Sequence, residues 1–287
     1  MPVVVVTDSS SRIPQAVADH YRISVVPLHL ALDGDDFREG VDDIPDDLIT
    51  RAGVTTSGAN PRELTEVFGR AVDAGAGDGV VAVMMSRRLS GTWSAARLAA
   101  EEYPGQIRVV DSRAVGLGLG FAAIGAAQGA AAGDDRDRVY EAAIRQASVT
   151  ESMICVQNLD NLRNSGRISA ASKLLGSALS IKPILAIDDG LLVLRERQRT
   201  FSKAMSRMVD AAVEFADGRP MTLGIQHCQA PDLAAEVAET LRGRLRGVTS
   251  QLTVDLGPIL GSHIGPGAVG VVLTSHLDPI VGADDLS

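Results

Sequence analysis

The sequence predicts a two-domain α/β protein. Residues 1–150 form a domain with a mostly parallel sheet between helices, and residues 151–287 form a second domain with a mixed or antiparallel sheet. Three observations support this class. The chain has 287 residues, more than one small core usually serves. Short β-branched runs alternate with helical patterns in the first half, and a hairpin pattern lies among helices in the second half.

Three apolar runs in the first half are typical of buried strands: Val3–Val6, Gly79–Met85 and Ile107–Val110. Helical patterns lie between them, as expected for a parallel sheet with helical crossovers. The clearest helix begins at Asn60, an N-cap residue that is followed by Pro61 at the first helical position. Apolar side chains then recur with helical spacing at Leu64, Val67, Phe68 and Ala71.

The second half mixes strands and helices in a different order. The predicted elements are a strand at Met153–Gln157, a loop at Asn161–Gly166, a helix near Ala170–Leu179, a hairpin at Ile181–Arg199 that turns at Asp188-Asp189-Gly190, a helix at Ser202–Ala216, a strand at Thr222–His227, a helix at Pro231–Arg242 and two closing strands. Asp-Gly is a turn signal between strands. A hairpin beside helices indicates a mixed or antiparallel sheet.

The composition excludes several kinds of partner. Aromatic residues make up 3% and the net charge is −9, so neither base stacking nor attraction to a phosphate backbone is favoured, and we expect no nucleic-acid partner. Cys155 and Cys228 have no CxxC spacing and are expected to be reduced and buried. The N-terminus has no basic segment before its apolar run, as a signal peptide would, which predicts a cytoplasmic location.

One uncharged stretch has the length of a membrane span. Residues Ala114 to Gly133 contain no charged side chain. However, the stretch is mostly Ala and Gly, with few of the large apolar residues that favour insertion into a bilayer. It is therefore predicted to be a tightly packed interior helix, and no membrane span is expected.

Small polar loops follow the three predicted strands of the first half. They are Thr7-Asp8-Ser9-Ser10, the segment from Ser86 to Thr92, and Asp111-Ser112. In open parallel sheets, ligands bind outside the carboxyl ends of the strands. The sequence thus predicts a ligand-binding crevice at this edge.

The spaced motifs of the chain resemble those of the DegV family, and the resemblance covers nearly the whole length. The motifs, in order, are Thr7-Asp8-Ser9-Ser10, the segment Thr56-Ser57-Gly58-Ala59-Asn60-Pro61, the SxxLSGT element from Ser86 to Thr92, Val109–Ser112, Gly166-Arg167-Ile168-Ser169, Ile181-Lys182-Pro183-Ile184, and the GxHxGPG ending from Gly261 to Gly267. Each motif alone is weak, but their order is specific.

The resemblance implies a non-catalytic protein that binds a long-chain fatty acid between its two domains. Family members look like carrier subunits that present the carboxylate to a separate ATP-dependent fatty acid kinase, whose acyl phosphate product enters phospholipid synthesis. By position, the carboxylate would be held by Thr56, Ser90 and His263. Further support would come from Ser57, Gly91, Thr92, Asp8, Ser9 and Arg167.

Two segments depart from the family pattern. Gly58-Ala59-Asn60 stands where the family often has Gln-Pro-Ser, so the loop that carries Thr56 has a different shape and Ser57 is a candidate to share its role. Gly116-Leu117-Gly118 lacks a serine that the family often places after its VVDS element.

Each candidate residue also has a structural interpretation. Ser90 precedes a helical run and is either an N-cap or, with the helix N-terminus, a carboxylate donor. His263 lies among glycines in a predicted exposed loop, where a protonated imidazole would make a charge-assisted bond to a carboxylate. Asp8 is either a general base or a residue that orients Ser9 and Ser10 through short turn bonds.

The remaining motifs give weaker indications of function. Gly116-Leu117-Gly118-Leu119-Gly120 is not a dinucleotide fingerprint, because the spacing is wrong and no suitable acid follows. No histidine pair has metal-ligand spacing, so no metal and no cofactor are expected. The basic residues Arg195, Arg197, Arg199 and Lys203 form either a solvated hairpin face or a surface that docks a kinase subunit, with Arg163 and Arg167 nearer the ligand's carboxylate.

Two other functions remain open at this point. One is a serine hydrolase that uses Ser90, His263 and either Asp8 or Asp111, although Ser90 is not in a GxSxG elbow. The other is a carrier of a different amphipathic carboxylate. About fourteen buried methylenes at ~0.8 kcal/mol each would supply roughly 11 kcal/mol before association costs, which is enough for a fatty acid tail to dominate affinity.

Overall fold

The structure is a computed structural model that describes residues 2–168 and 181–282. Contacts divide the chain into two compact units, Met1–Val149 and Thr150–Ser287. Both units combine helices with sheets, which confirms the predicted α/β class. The helix expected near Ala170–Leu179 and the motif residue Ser169 lie outside the described residues.

The first unit contains two sheets. Its strands are β1 (Val4–Asp8), β2 (Ser24–Val26), β3 (His29–Leu32), β4 (Asp35–Arg38), β5 (Thr55–Ser57), β6 (Val80–Met84) and β7 (Ile107–Asp111). The larger sheet has the order β2-β1-β6-β7 and is parallel throughout, as the alternation of strands and helices predicts. The smaller sheet, β4-β3-β5, is antiparallel and was not predicted.

Five helices accompany these strands. They are α1 (Gln15–Tyr21), α2 (Pro61–Gly75), α3 (Thr92–Ala100), α4 (Leu117–Ala131) and α5 (Arg136–Ser148), with 3-10 turns at Ser9–Ser11 and Asp46–Thr50. Helix α2 begins as predicted, because the Asn60 side chain accepts the backbone N–H of Arg62 and Pro61 opens the first turn. Leu64, Val67, Phe68 and Ala71 are all buried, so the predicted apolar stripe faces the core.

Helix α4 is the predicted interior helix. Most of its residues are buried, and it packs against β1 and α5. A Cβ on Gly120 would lie 2.6 Å from the carbonyl oxygen of Ser11, so only glycine lets α4 approach the 3-10 turn after β1. In the ranges 2–168 and 181–282, no helix is both long and apolar enough to cross a membrane.

The described residues of the second unit form one six-stranded sheet. Its strands are β8 (Thr150–Cys155), β9 (Lys182–Asp188), β10 (Leu191–Gln198), β11 (Met221–His227), β12 (Val248–Asp255) and β13 (Val269–Thr274). They run in the order β10-β9-β8-β13-β11-β12. All neighbours are antiparallel except the parallel pair of β11 and β12, which confirms the expectation of a mixed sheet.

The described helices of the second unit are α6 (Asp160–Asn164), α7 (Phe201–Ala216), α8 (Pro231–Arg244) and α9 (Gly257–Ile264). Helices α7 and α8 bury their apolar faces in a core shared with β8, β11 and β13. The predicted hairpin is present: Asp188 pairs with Leu191, and both intervening turn residues, Asp189 and Gly190, have positive φ. The loop predicted at Asn161–Gly166 is wrong, since α6 occupies most of it.

Candidate functional site

Asp8 ends β1 at the carboxyl edge of the parallel sheet, and its side chain is fully buried. Its Oδ1 accepts hydrogen bonds from the Ser10 backbone at 3.1 Å and from the Ser10 hydroxyl at 2.5 Å. Its Oδ2 accepts the N–H of Met85, just beyond β6, at 2.8 Å. The carboxylate thus joins the ends of two neighbouring strands, and these contacts favour the structural interpretation over the general base.

Burial raises the pKa of Asp8, and the hydrogen bonds from Ser10 and Met85 oppose that rise. The neighbouring Ser9 is also occupied by structure. Its hydroxyl donates to the buried Glu39 carboxylate at 2.6 Å and accepts the N–H of Leu28 at 3.0 Å. The TDSS turn therefore organises the loops around the strand ends.

Thr56 is the central residue of β5 and lies opposite Leu30 of β3. It is half-buried, whereas Ser57 is exposed and lies opposite His29. Because successive side chains of a strand point to opposite faces, Thr56 and Ser57 do not share a face. The geometry therefore separates two residues that the sequence left as candidates for one role.

Gly58 brings the segment after β5 against the start of α3. A Cβ at this position would lie 2.8 Å from the Thr92 hydroxyl and 3.3 Å from that of Ser90. The next residue, Ala59, donates its N–H to the Thr92 hydroxyl at 3.3 Å. The departure from the family pattern at Gly58 thus has a physical reason, because the missing side chain permits this close approach.

Ser90 and Thr92 form a hydroxyl pair, with their oxygens 2.9 Å apart. The Ser90 oxygen also accepts the N–H of Thr92 at 3.2 Å, although Gly91, not Ser90, occupies the N-cap position of α3. Two hydroxyls carry two protons, and their mutual bond uses one of them. One proton remains to be donated to an acceptor, beside the first-turn N–H groups of the helix.

His263 belongs to the second unit and lies in the last turn of α9, so the expectation of an exposed loop is wrong. Pro258 in the first turn and the apolar pair Ile259 and Leu260 make this segment helical despite its glycines. Burial, with a smaller contribution from the positive charge of Arg167, lowers the pKa of His263 to about 4. The imidazole is therefore neutral near neutral pH, not protonated as expected, and it donates through a single N–H.

Arg167 provides positive charge in the region of His263. Its backbone N–H donates to the carbonyl oxygen of Leu162, and its guanidinium to that of Ser165 at 2.5 Å. Its positive charge adds to the effect of burial in lowering the pKa of His263. A neutral N–H donor and a cation together suit an anionic ligand, because the cation supplies the attraction that the imidazole lacks.

Gln157 was missed as a site residue by the sequence analysis, and it links two motifs of the second unit. Its side-chain amide donates to the Gly267 carbonyl at 3.2 Å, and its own side-chain and backbone oxygens accept the Lys182 ammonium at 3.1 and 3.0 Å. Gly267 has a φ of 79°, and a Cβ there would crowd Gln157. The signal that could have found it was Lys182, a charged residue in the otherwise apolar Ile-Lys-Pro-Ile motif, which needs a polar partner.

In the part of the chain that the structure describes, no three His, Cys, Asp or Glu side chains are arranged to hold a metal ion. The cysteines are buried thiols, as expected. Burial raises the pKa of Cys155 to about 12, and burial together with the nearby Asp255 raises that of Cys228 to about 12. Neither thiol is activated for chemistry.

The basic hairpin face is partly neutralised. Arg195 is ion-paired with Glu151 of β8, two strands away in the sheet, and Glu196 of the hairpin pairs with Arg207 of α7 at 3.2 Å. Arg197 is exposed. These pairs fit the interpretation of a solvated face and leave the docking of a partner as a prediction.

Comparison with known proteins places these motifs in a family. The family model described as "uncharacterised protein, DegV family" matches residues 2–276. A DegV domain-containing protein of Mycobacterium tuberculosis is 46% identical over 279 residues, which cover 97% of this chain and 99% of the relative. The chain belongs to the DegV family.

Solved DegV structures share the fold. A DegV family protein from Thermus thermophilus, described as fatty acid binding, is 30% identical with a TM-score of 0.89, covering 96% of this chain and 100% of that one. DegV from Bacillus subtilis, described as a fatty acid binding protein, is 28% identical with a TM-score of 0.85, covering 96% and 99%. The DegV resemblance seen in the motifs is confirmed along the whole chain.

Proposed function

We propose that this protein binds one long-chain fatty acid through its carboxylate and presents that carboxylate to a separate ATP-dependent fatty acid kinase. In this proposal, Thr56 and Ser90 of the first unit and His263 of the second donate hydrogen bonds to the carboxylate. The protein itself carries out no chemical step. The kinase forms an acyl phosphate that serves phospholipid synthesis.

The observation that supports the proposal most is the hydroxyl pair of Ser90 and Thr92. Their oxygens accept the N–H groups of Thr92 and Ala59 and share one hydroxyl proton, so one proton is left for an outside acceptor. An ionised carboxylate has only acceptor sites and matches this donor. Hydrogen bonds to charged groups contribute about 1.5–3 kcal/mol, more than neutral ones.

The setting of His263 supports the same ligand. Its neutral imidazole carries one N–H, and Arg167 supplies positive charge nearby. A bound carboxylate beside the ring would raise the pKa of His263 from its low value, because a negative neighbour favours the imidazolium. Binding would then be accompanied by proton uptake at acidic pH, toward the pKa of about 4 that His263 has without a carboxylate beside it.

The relatives support the choice of ligand. The DegV proteins of Thermus thermophilus and Bacillus subtilis are both described as fatty acid binding, and both match nearly the whole of this chain. A long acyl tail contributes about 0.8 kcal/mol per buried methylene, whereas the carboxylate contacts mainly fix orientation. Affinity is therefore expected to come from the tail and specificity from the polar groups.

A role without catalysis is supported by how the acids of the first unit are used. Both oxygens of Asp8 accept hydrogen bonds, from Ser10 and Met85. Asp111 accepts the N–H of Arg113 and pairs with the Arg87 guanidinium at 3.2 Å. A hydrolytic triad needs an acid that is available to orient the histidine, and both candidate acids are engaged elsewhere.

The carboxylate part of the proposal is tested by comparing palmitate with palmityl alcohol, which has the same tail without the charge. We expect delipidated protein to bind palmitate at least about tenfold more tightly, since a charged hydrogen bond of ~1.4 kcal/mol gives that factor. Equal binding of the two would contradict the carboxylate site. Steady hydrolysis of an acyl ester, lost in Ser90→Ala, would support the hydrolase instead.

The kinase part is tested by reconstitution. Purified protein loaded with labelled palmitate is incubated with ATP and a purified fatty acid kinase subunit, and acyl phosphate is trapped with hydroxylamine. We expect the acyl hydroxamate only when both proteins are present. Formation of the product by this chain alone would contradict the non-catalytic role, and failure of the loaded protein to support the kinase would contradict the partnership.

A further inference from the structure

His29 is a buried histidine that no motif accounts for. It lies on β3 with only 6% of its surface exposed. Its Nδ1 is 2.8 Å from a carboxylate oxygen of Asp36, and its Nε2 is 2.8 Å from one of Glu63. The two carboxylates come from different elements, since Asp36 lies on β4 and Glu63 in the first turn of α2.

A count of protons fixes the charge of this ring. A neutral imidazole has one N–H donor and one lone pair. A lone pair at 2.8 Å from an ionised carboxylate oxygen would be repulsive, so, with Asp36 and Glu63 both ionised, contacts at both nitrogens require two N–H groups. Burial lowers the pKa of His29, but the hydrogen bonds and charges of Glu63 and Asp36 outweigh it, and the net direction is upward.

The segment between β5 and α2 is held at one end by the pairing of β5 with β3, the strand that carries His29, and at the other end by the contact of the ring with Glu63. At one end, β5 pairs with β3, and His29 lies directly opposite Ser57. At the other end, Glu63 belongs to the first turn of α2, which begins immediately after Asn60. Residues 58–60 lie between these two anchors. They include Gly58 and Ala59, which touch the Ser90–Thr92 hydroxyl pair.

The other charges around His29 are accounted for. Arg38 of β4 lies opposite His29 in the strand register, but its guanidinium is bound by Asp42 through two hydrogen bonds of 2.9 and 3.0 Å. Asp42 also interacts with the charge of His29. The β5 residue opposite the ring, Ser57, carries no charge.

We propose that His29, held as an imidazolium between Asp36 and Glu63, is a positioning residue that fixes the Thr56–Asn60 segment for ligand binding. The inference rests on the proposed function, in which Thr56 and the hydroxyl pair of Ser90 and Thr92 meet the fatty acid carboxylate. Loss of the ring proton removes one of the two anchoring bonds and turns the other contact repulsive. The first turn of α2 is then no longer held against β3, and the carboxylate site loses its alignment.

The direction of the pH effect follows from the sign of the shift. The pKa of His29 is raised in the folded protein from its ordinary value of 6.5. The pair of contacts that the His29 imidazolium makes with Asp36 and Glu63 is therefore complete below about pH 6.5, and it is lost as the pH rises through the folded pKa. Fatty acid affinity is expected to fall over the same alkaline range.

The test compares palmitate binding by delipidated full-length protein at about pH 6 and about pH 9, which bracket the usual range of histidine pKa values. His29→Asn removes the charge, and His20→Asn, at an exposed site on α1, is the matched control. Between these pH values, we expect the ratio of the variant's Kd to that of the native protein to fall by at least about fivefold, the lower end of couplings between sites. The control's ratio should stay constant.

Ionisation of palmitate itself affects every protein equally and cancels in the ratio. If His29→Asn does not fold, Glu63→Gln takes its place, with the exposed Glu66→Gln on the same helix as its control. Nitrogen NMR of the imidazole gives a readout that needs no ligand: both ring nitrogens of His29 should be protonated at neutral pH. A constant Kd ratio, or a neutral His29 ring at neutral pH, would overturn the inference.

A failure of the proposed function and a failure of this inference give different results. If the native protein binds no palmitate at any pH, the proposed function is contradicted and this inference with it. If it binds palmitate with an affinity that His29→Asn lowers equally at both pH values, the function stands. In that case, His29 is only a structural residue of the small sheet.

Discussion

Replacement of Ser90 by alanine separates a ligand-binding role from a capping role. The Ser90 oxygen accepts the Thr92 N–H at 3.2 Å and shares a proton with the Thr92 hydroxyl. After Ser90→Ala, the Thr92 hydroxyl keeps its proton and can still donate to the ligand. The loss of affinity is therefore expected at the low end for a charged hydrogen bond, about tenfold or ~1.4 kcal/mol.

The double variant Ser90→Ala/Thr92→Val removes both hydroxyls while it keeps the shape of the buried Thr92. We expect it to bind palmitate about a hundredfold more weakly, since no hydroxyl donor of the pair remains. The unfolding free energy of Ser90→Ala itself should fall by ~1–2 kcal/mol, because the N–H of the buried Thr92 loses its acceptor. Ser94→Ala, at an exposed site of the same helix, is the control.

Calorimetric titration with palmitate and thermal unfolding of the ligand-free variants measure the two quantities. Lower stability with unchanged affinity in both variants would refute the reasoning, since the hydroxyls would then serve only the helix start. Unchanged stability with a large loss of affinity would support the ligand role directly.

Four other perturbations test separate parts of the account. His263→Gln should weaken palmitate binding and also reduce the loss of stability on acidification. The pKa of His263 falls from 6.5 to about 4 on folding. The contribution of the neutral ring to the free energy of unfolding is therefore complete above about pH 6.5 and is lost as the pH falls toward 4, which urea unfolding at several pH values measures. Gly120→Ala should lower the free energy of unfolding by ~1–3 kcal/mol, because its Cβ would lie 2.6 Å from the Ser11 carbonyl oxygen. Gly243→Ala in α8, with nothing within 4 Å of the added Cβ, should instead raise it by ~0.5–1 kcal/mol. Cys155 and Cys228, whose pKa values are about 12, should react with a thiol reagent only on unfolding, and rapid labelling of the native protein would contradict their burial.

Local sequence signals predicted the elements whose stability is local. Asn60 and Pro61 start α2 because capping and a preset φ need only neighbouring residues. The turn at Asp189-Gly190 forms because both residues accept a positive φ. Two of the apolar runs lie in the largely buried strands β1 and β6, where burial on both faces leaves few polar residues, whereas β7 is mostly half-buried.

The small sheet of β3, β4 and β5 was not predictable in the same way. Its strands have three or four residues, too few for a period to be visible, and β4 is almost entirely polar. Its stability comes from pairing and from the contacts of His29 with Asp36 and Glu63, which are distant in sequence. A long-range ion pair leaves no local pattern.

The candidate site shows the same contrast between what local sequence patterns predict and what long-range contacts decide. Motif positions singled out Ser90 and His263, but not the environment that decides how each acts. The neutral state of His263 depends on burial in α9, a helix whose glycine-rich sequence predicted a loop. The contact of Gly58 with the hydroxyl pair, and the link from Gln157 to Gly267 and Lys182, arise only when separate loops meet.

Mass spectrometry of lipid extracted from the purified protein tests the central claim most directly. The account predicts about one long-chain fatty acid per chain, recovered as the free acid, and a strong reduction of that yield in Ser90→Ala/Thr92→Val but not in Ser94→Ala. Protein that is purified without lipid and also fails to take up added palmitate would contradict it.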